Sequence, residues 1–311
     1  MQHYKPEGSL ITTAENQAAL KSAATLQEAF AQGKILEGRA VICDFDHNLV
    51  VDLGCTRGII PREEGALGIK DGTTRDIAII SRVNKPVCFK IIEMGRTADG
   101  SIRPILSRSA VQQLCYDEYI SKLAPGDIID GRITHLEPFG CFVDIGCGIP
   151  SLIPIDAISI SRISHPSDRF KPGQTIKAVV RGRDDAGRIS LSHKELLGNW
   201  EENAALFNAG ETVAGVVRSV EDYGIFVELT PNLAGLAEPC AGVSPGQHAS
   251  VYIKSLIPEK MKVKLIVVDA FDAQYQTTPL HYFINTGRLD RWRYSPACSD
   301  RVIETVFNLH T

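Results

Sequence analysis

The sequence predicts a mainly β protein: three tandem five-stranded barrels joined by short helices, with a helical N-terminal extension and an irregular C-terminal one. Three observations predict it. The first is a repeat: residues 126–145 (GDIIDGRITHLEPFGCFVDI) and 210–229 (GETVAGVVRSVEDYGIFVEL) share G-x-x-[IV]-x-G-x-[IV]-x-x-[LV]-E-x-[FY]-G-x-F-V-[DE]-[IL] without a gap, at an offset of 84 residues. A fixed period marks tandem modules. The second is period-2 alternation of apolar residues broken by Gly, Pro, Asp and Asn turns, which points to short antiparallel strands. The third is size: five strands in roughly 70 residues match an OB-fold barrel.

Composition sets the bounds. At roughly 150 residues per domain, 311 residues imply at least two domains, and 44% hydrophobic with 23% charged residues is ordinary globular usage. No apolar run approaches the roughly 20 residues of a membrane span. The first ten residues (MQHYKPEGSL) lack the apolar core of a secretory signal, which predicts a cytoplasmic protein that does not enter membranes. A net charge of −4 weighs against a protein that coats duplex DNA, leaving room for a local basic stripe. The eight cysteines form no C-x-x-C pair, and read as small buried hydrophobes in a reducing compartment.

In order along the chain, residues 1–35 form an N-terminal extension with a helix over 12–32. Thr12 and Glu15 offer a capping box and Gly33 a stop. Barrel 1 spans 36–108 and is a worn copy of the unit: Gly38 is followed by alternating apolar residues, VVDLG and a Gly-Ile-Ile-Pro run. A helical connector spans 109–125, capped by Ser109, with Val111, Leu114, Cys115, Tyr119 and Leu123 on one face. Barrel 2 spans 126–194. Ile129, Gly131 and Ile133 share its inner face, Val143 and Ile145 point in, and Phe142 and Asp144 therefore point out. Ile176, Ala178 and Val180 alternate with Lys177, Val179 and Arg181 to give a further strand. A second connector covers 195–209 and barrel 3 covers 210–267. The stretch 268–311 holds Tyr275, His281, Tyr282, Phe283, Trp292 and Tyr294 without clear strand alternation and ends in a helix-like segment at 299–309. The sequence assigns it no role.

Three runs carry a family resemblance: F-G-x-F-V-D at 139–144, Y-G-x-F-V-E at 223–228 and R-I-S-L-S-H-K at 188–194. With them the units resemble the S1 domain, the OB-fold RNA-binding module repeated in the largest protein of the bacterial small ribosomal subunit. The resemblance runs from about 37 to 266 and includes the connector LLGNWEENAALFNAGETVAG. It implies an RNA face built from two aromatics three residues apart, a histidine about twelve residues later and an Asp-x-x-x-Arg pair. Barrel 2 carries Phe139, Phe142, Asp184 and Arg188 at those positions, with Pro154 where the histidine would stand. Barrel 3 carries Tyr223 and Phe226, with Glu238 at the histidine position and Lys262 and Lys264 near its last strand. Barrel 1 aligns His47 and Val50 with the aromatics, so its stacking platform is gone, and the resemblance implies that it docks on protein.

The chemistry agrees with that face. Unstacked bases need flat apolar side chains, and phosphates need cations. Lys177, Arg181, Arg183 and Arg188, with Arg132, supply charge in barrel 2, and Asp184 orients Arg188. A stacked base contributes about 1–3 kcal/mol, so two aromatics per barrel predict micromolar binding. The spacing of His135, His165 and His193 fits no metal site. Asp184-Asp185 reads as a turn, and the Gly-rich 146–148 run lacks a phosphate-binding helix. The function predicted is thus non-enzymatic, cofactor-free capture of single-stranded mRNA in translation, with small-subunit ribosomal proteins as partners of barrel 1. Two other readings stand beside it: a protein scaffold, for which Pro154, Glu238 and the acidic total speak, and an accessory module of an RNA-processing enzyme.

Overall fold

The computed structural model describes residues 4–98, 100–273 and 280–307. Over them the chain forms three closed five-stranded barrels and a two-stranded ribbon. It divides into two compact units, Met1–Leu123 with Asp144–Pro150, and Ala124–Val143 with Ser151–Thr311. Tyr275 and residues 308–309 of the helix-like end lie outside the described residues.

In the first unit the single N-terminal helix expected over 12–32 is two, α1 (Ala14–Ala19) and α2 (Ala23–Ala31). Ser22 breaks it. Its hydroxyl caps α2 in a reciprocal pair with Thr25, an alternative that short polar side chains offer the backbone. Thr13, one residue past the expected Thr12, caps α1. Barrel 1 follows with β1 (Leu36–Cys43), β2 (Leu49–Asp52), β3 (Arg57–Ile60), β4 (Pro86–Glu93) and β5 (Ile105–Ser107), and α3 (Ile77–Ile80) lies between β3 and β4. The strands close in the order β1-β2-β3-β5-β4, β3 and β5 running parallel. Leu49, Val51, Ile60, Val87, Phe89 and Leu106 fill the interior, and Leu26 and Ala29 of α2 join them. Truncating one such aliphatic to Ala costs about 2–5 kcal/mol. The connector helix α4 (Arg108–Glu118) is capped by Ser107 rather than Ser109: the Ser107 oxygen accepts the Ala110 N–H at 2.9 Å, and Ser109 already lies inside the first turn, both hydroxyls donating to Glu64.

Asp144 does not point out to solvent as strand alternation predicts. It is buried at 4% exposure because the segment before α1 covers it. Its carboxylate accepts the Glu7 N–H at 2.8 Å and those of Gly146 and Gly148 at 2.9 and 3.0 Å. Glu7 is itself buried and held bidentately by Arg108, at 2.6 and 3.0 Å. Burial, the largest influence, pushes Glu7 up, but the Arg108 charge and hydrogen bonds, the Arg82 charge and the Cys88 N–H together outweigh it and hold the carboxyl below its usual range. Burial, then the Glu7 charge, raises Asp144.

The second unit holds β6 (Ile128–Glu137), β7 (Gly140–Asp144), β8 (Pro150–Pro154), β9 (Thr175–Arg183) and β10 (Ile189–Ser192) of barrel 2, apart from the Asp144–Pro150 stretch that belongs to the first unit. Val179 departs from the expected alternation. It is buried among Leu196, Trp200 and the barrel 3 core although its neighbours Ala178 and Val180 already face inward. Helix α5 (Trp200–Ala204), with a reciprocal Asn199–Glu202 cap, leads to barrel 3: β11 (Thr212–Glu221), β12 (Gly224–Thr230), β13 (Leu233–Ala237), β14 (His248–Ile257) and β15 (Lys262–Phe271). Among the described residues, β16 (Arg291–Arg293) pairs with β17 (Glu304–Val306) in a ribbon, and β17 lies where a helix-like segment was expected. Cysteines also depart in part from expectation: Cys88, Cys115, Cys141 and Cys147 are buried, but Cys55, Cys240 and Cys298 are exposed.

Candidate nucleic-acid interface

Residues paired directly across a sheet share one of its faces, so the strand registers assemble each barrel's outer surface. In barrel 3 they give one row, Ser219–Phe226–Leu236–Lys264–Ser255. Val227 and Leu265 beside it point into the core. Tyr223 stands at the end of the row on the β11–β12 turn, 67% exposed, its ring edge-on to Phe226 at 6.1 Å and 85°. Lys262, two residues before Lys264, shares its face and is exposed.

Barrel 2 repeats the arrangement. Phe139 is 56% exposed and meets Phe142 edge-on at 6.2 Å and 90°. Leu152 pairs with Ser190 and Ser190 with Gly182, so Ser190 holds the place of Lys264 and Arg188 that of Lys262. Backbone proximity fixes the platform. A Cβ on Gly140 would sit 2.4 Å from the Ile153 carbonyl oxygen, and one on Gly224 would sit 2.6 Å from that of Ala237. Only glycine lets β7 and β12 approach so closely and present the preceding aromatic. On the β9–β10 turn Asp184 accepts the Arg188 backbone N–H at 2.8 Å and its Nε at 2.7 Å. These bonds, the backbone one foremost, hold the Asp184 carboxyl below its usual range. The guanidinium is thereby aimed while remaining 79% exposed.

The structure therefore brings together Phe139, Phe142, Asp184, Arg188 and Arg181 in barrel 2, and Tyr223, Phe226, Lys262 and Lys264 in barrel 3. Lys177 stands apart. It pairs with Asp130 at 2.9 Å and lies five residues along β9 from Gly182, about 16 Å at strand rise.

Against known proteins, residues 122–194 match the S1 RNA binding domain. The chain is 31% identical over 284 residues to the small ribosomal subunit protein bS1 homolog of Bacillus cereus, covering 86% of this chain and 71% of that one. This chain belongs to the bS1 family. Other bS1 relatives agree: that of Staphylococcus aureus is 30% identical over 84% of this chain and 68% of its own length, and that of Leuconostoc lactis is 30% identical over 76% and 57%. A solved multidomain protein with nucleic acid binding domains from Streptococcus pneumoniae covers 78% of this chain and 76% of its own at 14% identity and a TM-score of 0.25, a likeness too slight to bear on function.

Within this bS1-family chain the registers expose a residue that sequence comparison missed. Each barrel has a β-bulge between its fourth and fifth strands. The extra residue is Arg181 in barrel 2 and Lys254 in barrel 3, both exposed. Lys254 escapes the 84-residue offset because barrel 3 is shorter: 28 residues separate it from Phe226, against 39 between Phe142 and Arg181.

Barrel 1 shows what the worn copy has become. Its equivalent row is Ile42–Val50–Ile59–Ile105–Glu93, and its bulge residue is Ile92. Ile42 is 46% and Ile92 45% exposed, and Phe45 on the β1–β2 turn is 97% exposed. Aliphatics thus occupy positions that carry aromatic rings and cations in the other barrels. Only Arg103, at the place of Arg188 and Lys262, keeps its charge.

Proposed function

We propose that barrels 2 and 3 bind single-stranded RNA, as a non-enzymatic mRNA-capturing component of translation in the cytoplasm. Phe139, Phe142, Tyr223 and Phe226 stack bases. Arg188 and Arg181 in barrel 2, with Lys262, Lys264 and Lys254 in barrel 3, follow the phosphates, and Lys177 lies at the margin of the path. The carrying observation is the pair of near-identical aromatic platforms, each with cations on the same barrel face: Lys264 in register in barrel 3, and Arg188 two residues from the registered Ser190 in barrel 2. Rings at such sites stack on any base, so affinity tracks single-strandedness and salt more than sequence. Barrel 1 contacts a small-subunit ribosomal protein. Its aliphatic row and the exposed Phe45 suit an apolar protein surface and offer an RNA base no ring within the row.

The test is fluorescence anisotropy with a labelled pyrimidine-rich single strand, with a duplex of the same sequence as control. Binding of the single strand alone, lost in the Phe139→Ala/Phe142→Ala/Tyr223→Ala/Phe226→Ala variant, supports the reading. Equal binding by that variant overturns it.

A further inference from the structure

The sequence gives residues 268–311 no role, but in the second unit residues 280–307 tie barrel 2 to barrel 3 at four places. On barrel 2, Leu289 N–H donates to Gly126 O at 2.9 Å and Ile128 N–H donates to Gly287 O at 3.1 Å, around an antiparallel bridge between Asp127 and Arg288. The tail thus adds a short strand at the start of β6. Deeper in barrel 2, the Tyr282 oxygen accepts the Lys177 N–H at 3.2 Å and its ring stands edge-on to His193. The Ile158 carbonyl can only accept, so His193 Nδ1 donates to it at 2.9 Å. That leaves Nε2 to accept from the Tyr282 hydroxyl at 3.2 Å.

On barrel 3, the Tyr294 hydroxyl donates to Asn232 O at 2.6 Å, and Trp292, Tyr294 and Phe307 are buried in the same core as Val217, Val227, Leu233 and Val263. At the α5 connector, Trp200 N–H donates to Tyr294 O at 3.0 Å and Thr305 Oγ1 to Glu195 at 2.9 Å.

The barrels also meet directly, beside an RNA platform. Glu228 lies two residues beyond Phe226 on the same face of β12, and there it holds Arg218 from barrel 3 and Arg169 from barrel 2, while Arg218 reaches Asp168 at 3.4 Å. The Asn232 side chain accepts from Ile160 N–H and donates to the Lys194 and Gly198 carbonyls.

We propose that residues 280–307 are a positioning element for RNA binding. By locking barrels 2 and 3 into one body they hold the two aromatic platforms in a fixed relation, so that one single strand engages both. The proposal rests on the reading that the platforms bind single-stranded RNA. Linking two weak sites makes the second encounter intramolecular, and the gain is largest when the geometry is preset. Tyr282, Trp292 and Tyr294 touch no RNA in this scheme and act through the barrels they join.

The test compares a 5-nucleotide with a 24-nucleotide oligopyrimidine on the full chain, using wild type, Tyr282→Phe/Tyr294→Phe and Trp292→Ala, since one OB fold covers about 4–16 nucleotides. Limited proteolysis, read as new cleavage within residues 280–307, reports in each variant whether the tail has been released. The expected result is a tail released in both variants, an unchanged 5-mer affinity and a 24-mer affinity lowered tenfold or more. An unchanged 24-mer affinity with the tail released overturns the proposal. So does an equal loss for both lengths, which means that the tail supports the barrels and not their relation. A tail still seated in both variants contradicts the anchoring assigned to these residues. Absence of 5-mer binding by the wild type instead removes the platform reading itself, and the positioning role with it.

Discussion

His193 makes the second unit acid-sensitive over a defined window. The ring is fully buried, and burial, opposed by the Ile158 hydrogen bond and reinforced by the Arg169 charge, pushes the imidazole down to about 4 from its usual 6.5. Its other neighbours, the edge-on Phe170 and Tyr282, offer no anion to stabilise a charged ring. A folded-state pKa below the unfolded one means that the unfolded chain takes up the proton first. The contribution to stability is therefore complete above pH 6.5 and is lost as the pH falls from 6.5 to 4. At 1.36 kcal/mol per pH unit, this loss is about 3 kcal/mol. Urea unfolding of the second unit at pH 7, 6, 5 and 4 measures it, with His193→Gln as reference. The variant is less stable at pH 7, having lost shape and hydrogen bonds, but its stability falls less by about 3 kcal/mol between pH 7 and 4. Parallel pH profiles for wild type and variant would refute the reasoning.

Other consequences follow from single contacts. Arg108→Ala leaves the buried Glu7 with only the looser Arg82 contact at 3.4 Å, and because breaking a buried pair costs about 3–5 kcal/mol, the loss approaches that range and is read as a lower thermal midpoint of the first unit. Gly140→Ala forces a methyl group to 2.4 Å from the Ile153 carbonyl. It should both destabilise barrel 2, by roughly 1–3 kcal/mol as for an overpacked core, and weaken RNA binding, whereas Gly182→Ala, with open space at its Cβ, should do neither. Removing Lys254 should weaken binding to all single strands alike and reduce the slope of log affinity against log salt by about 0.7. An unchanged slope would take Lys254 off the phosphate path.

Much of this was legible in the sequence because barrels write themselves as alternation and repeats. The ungapped pattern from Gly126 and from Gly210 located β6–β7 and β11–β12, and the [FY]-G-x-F spacing placed each aromatic pair at a turn-to-strand junction with a glycine at the close approach. What stayed hidden depends on segments distant in the chain. Asp144 reads as an outward residue until the Glu7 segment covers it, and Val179 until Trp200 and Leu196 do. Lys254 is invisible to a fixed offset because a β-bulge, not a motif, places it. The three-residue strands of the C-terminal ribbon are too short to show periodicity, and they are held by burial of Trp292, Tyr294 and Phe307.

The central claim is that the aromatic platforms read single-stranded RNA. Anisotropy titration of a labelled pyrimidine-rich single strand at two salt concentrations, on wild type and the Phe139→Ala/Phe142→Ala variant with its folding verified by circular dichroism, tests it most directly. The account predicts binding that weakens with salt, spares duplex, and drops in the variant by about 1–3 kcal/mol for each base stack lost. A variant that binds as tightly as the wild type would contradict it.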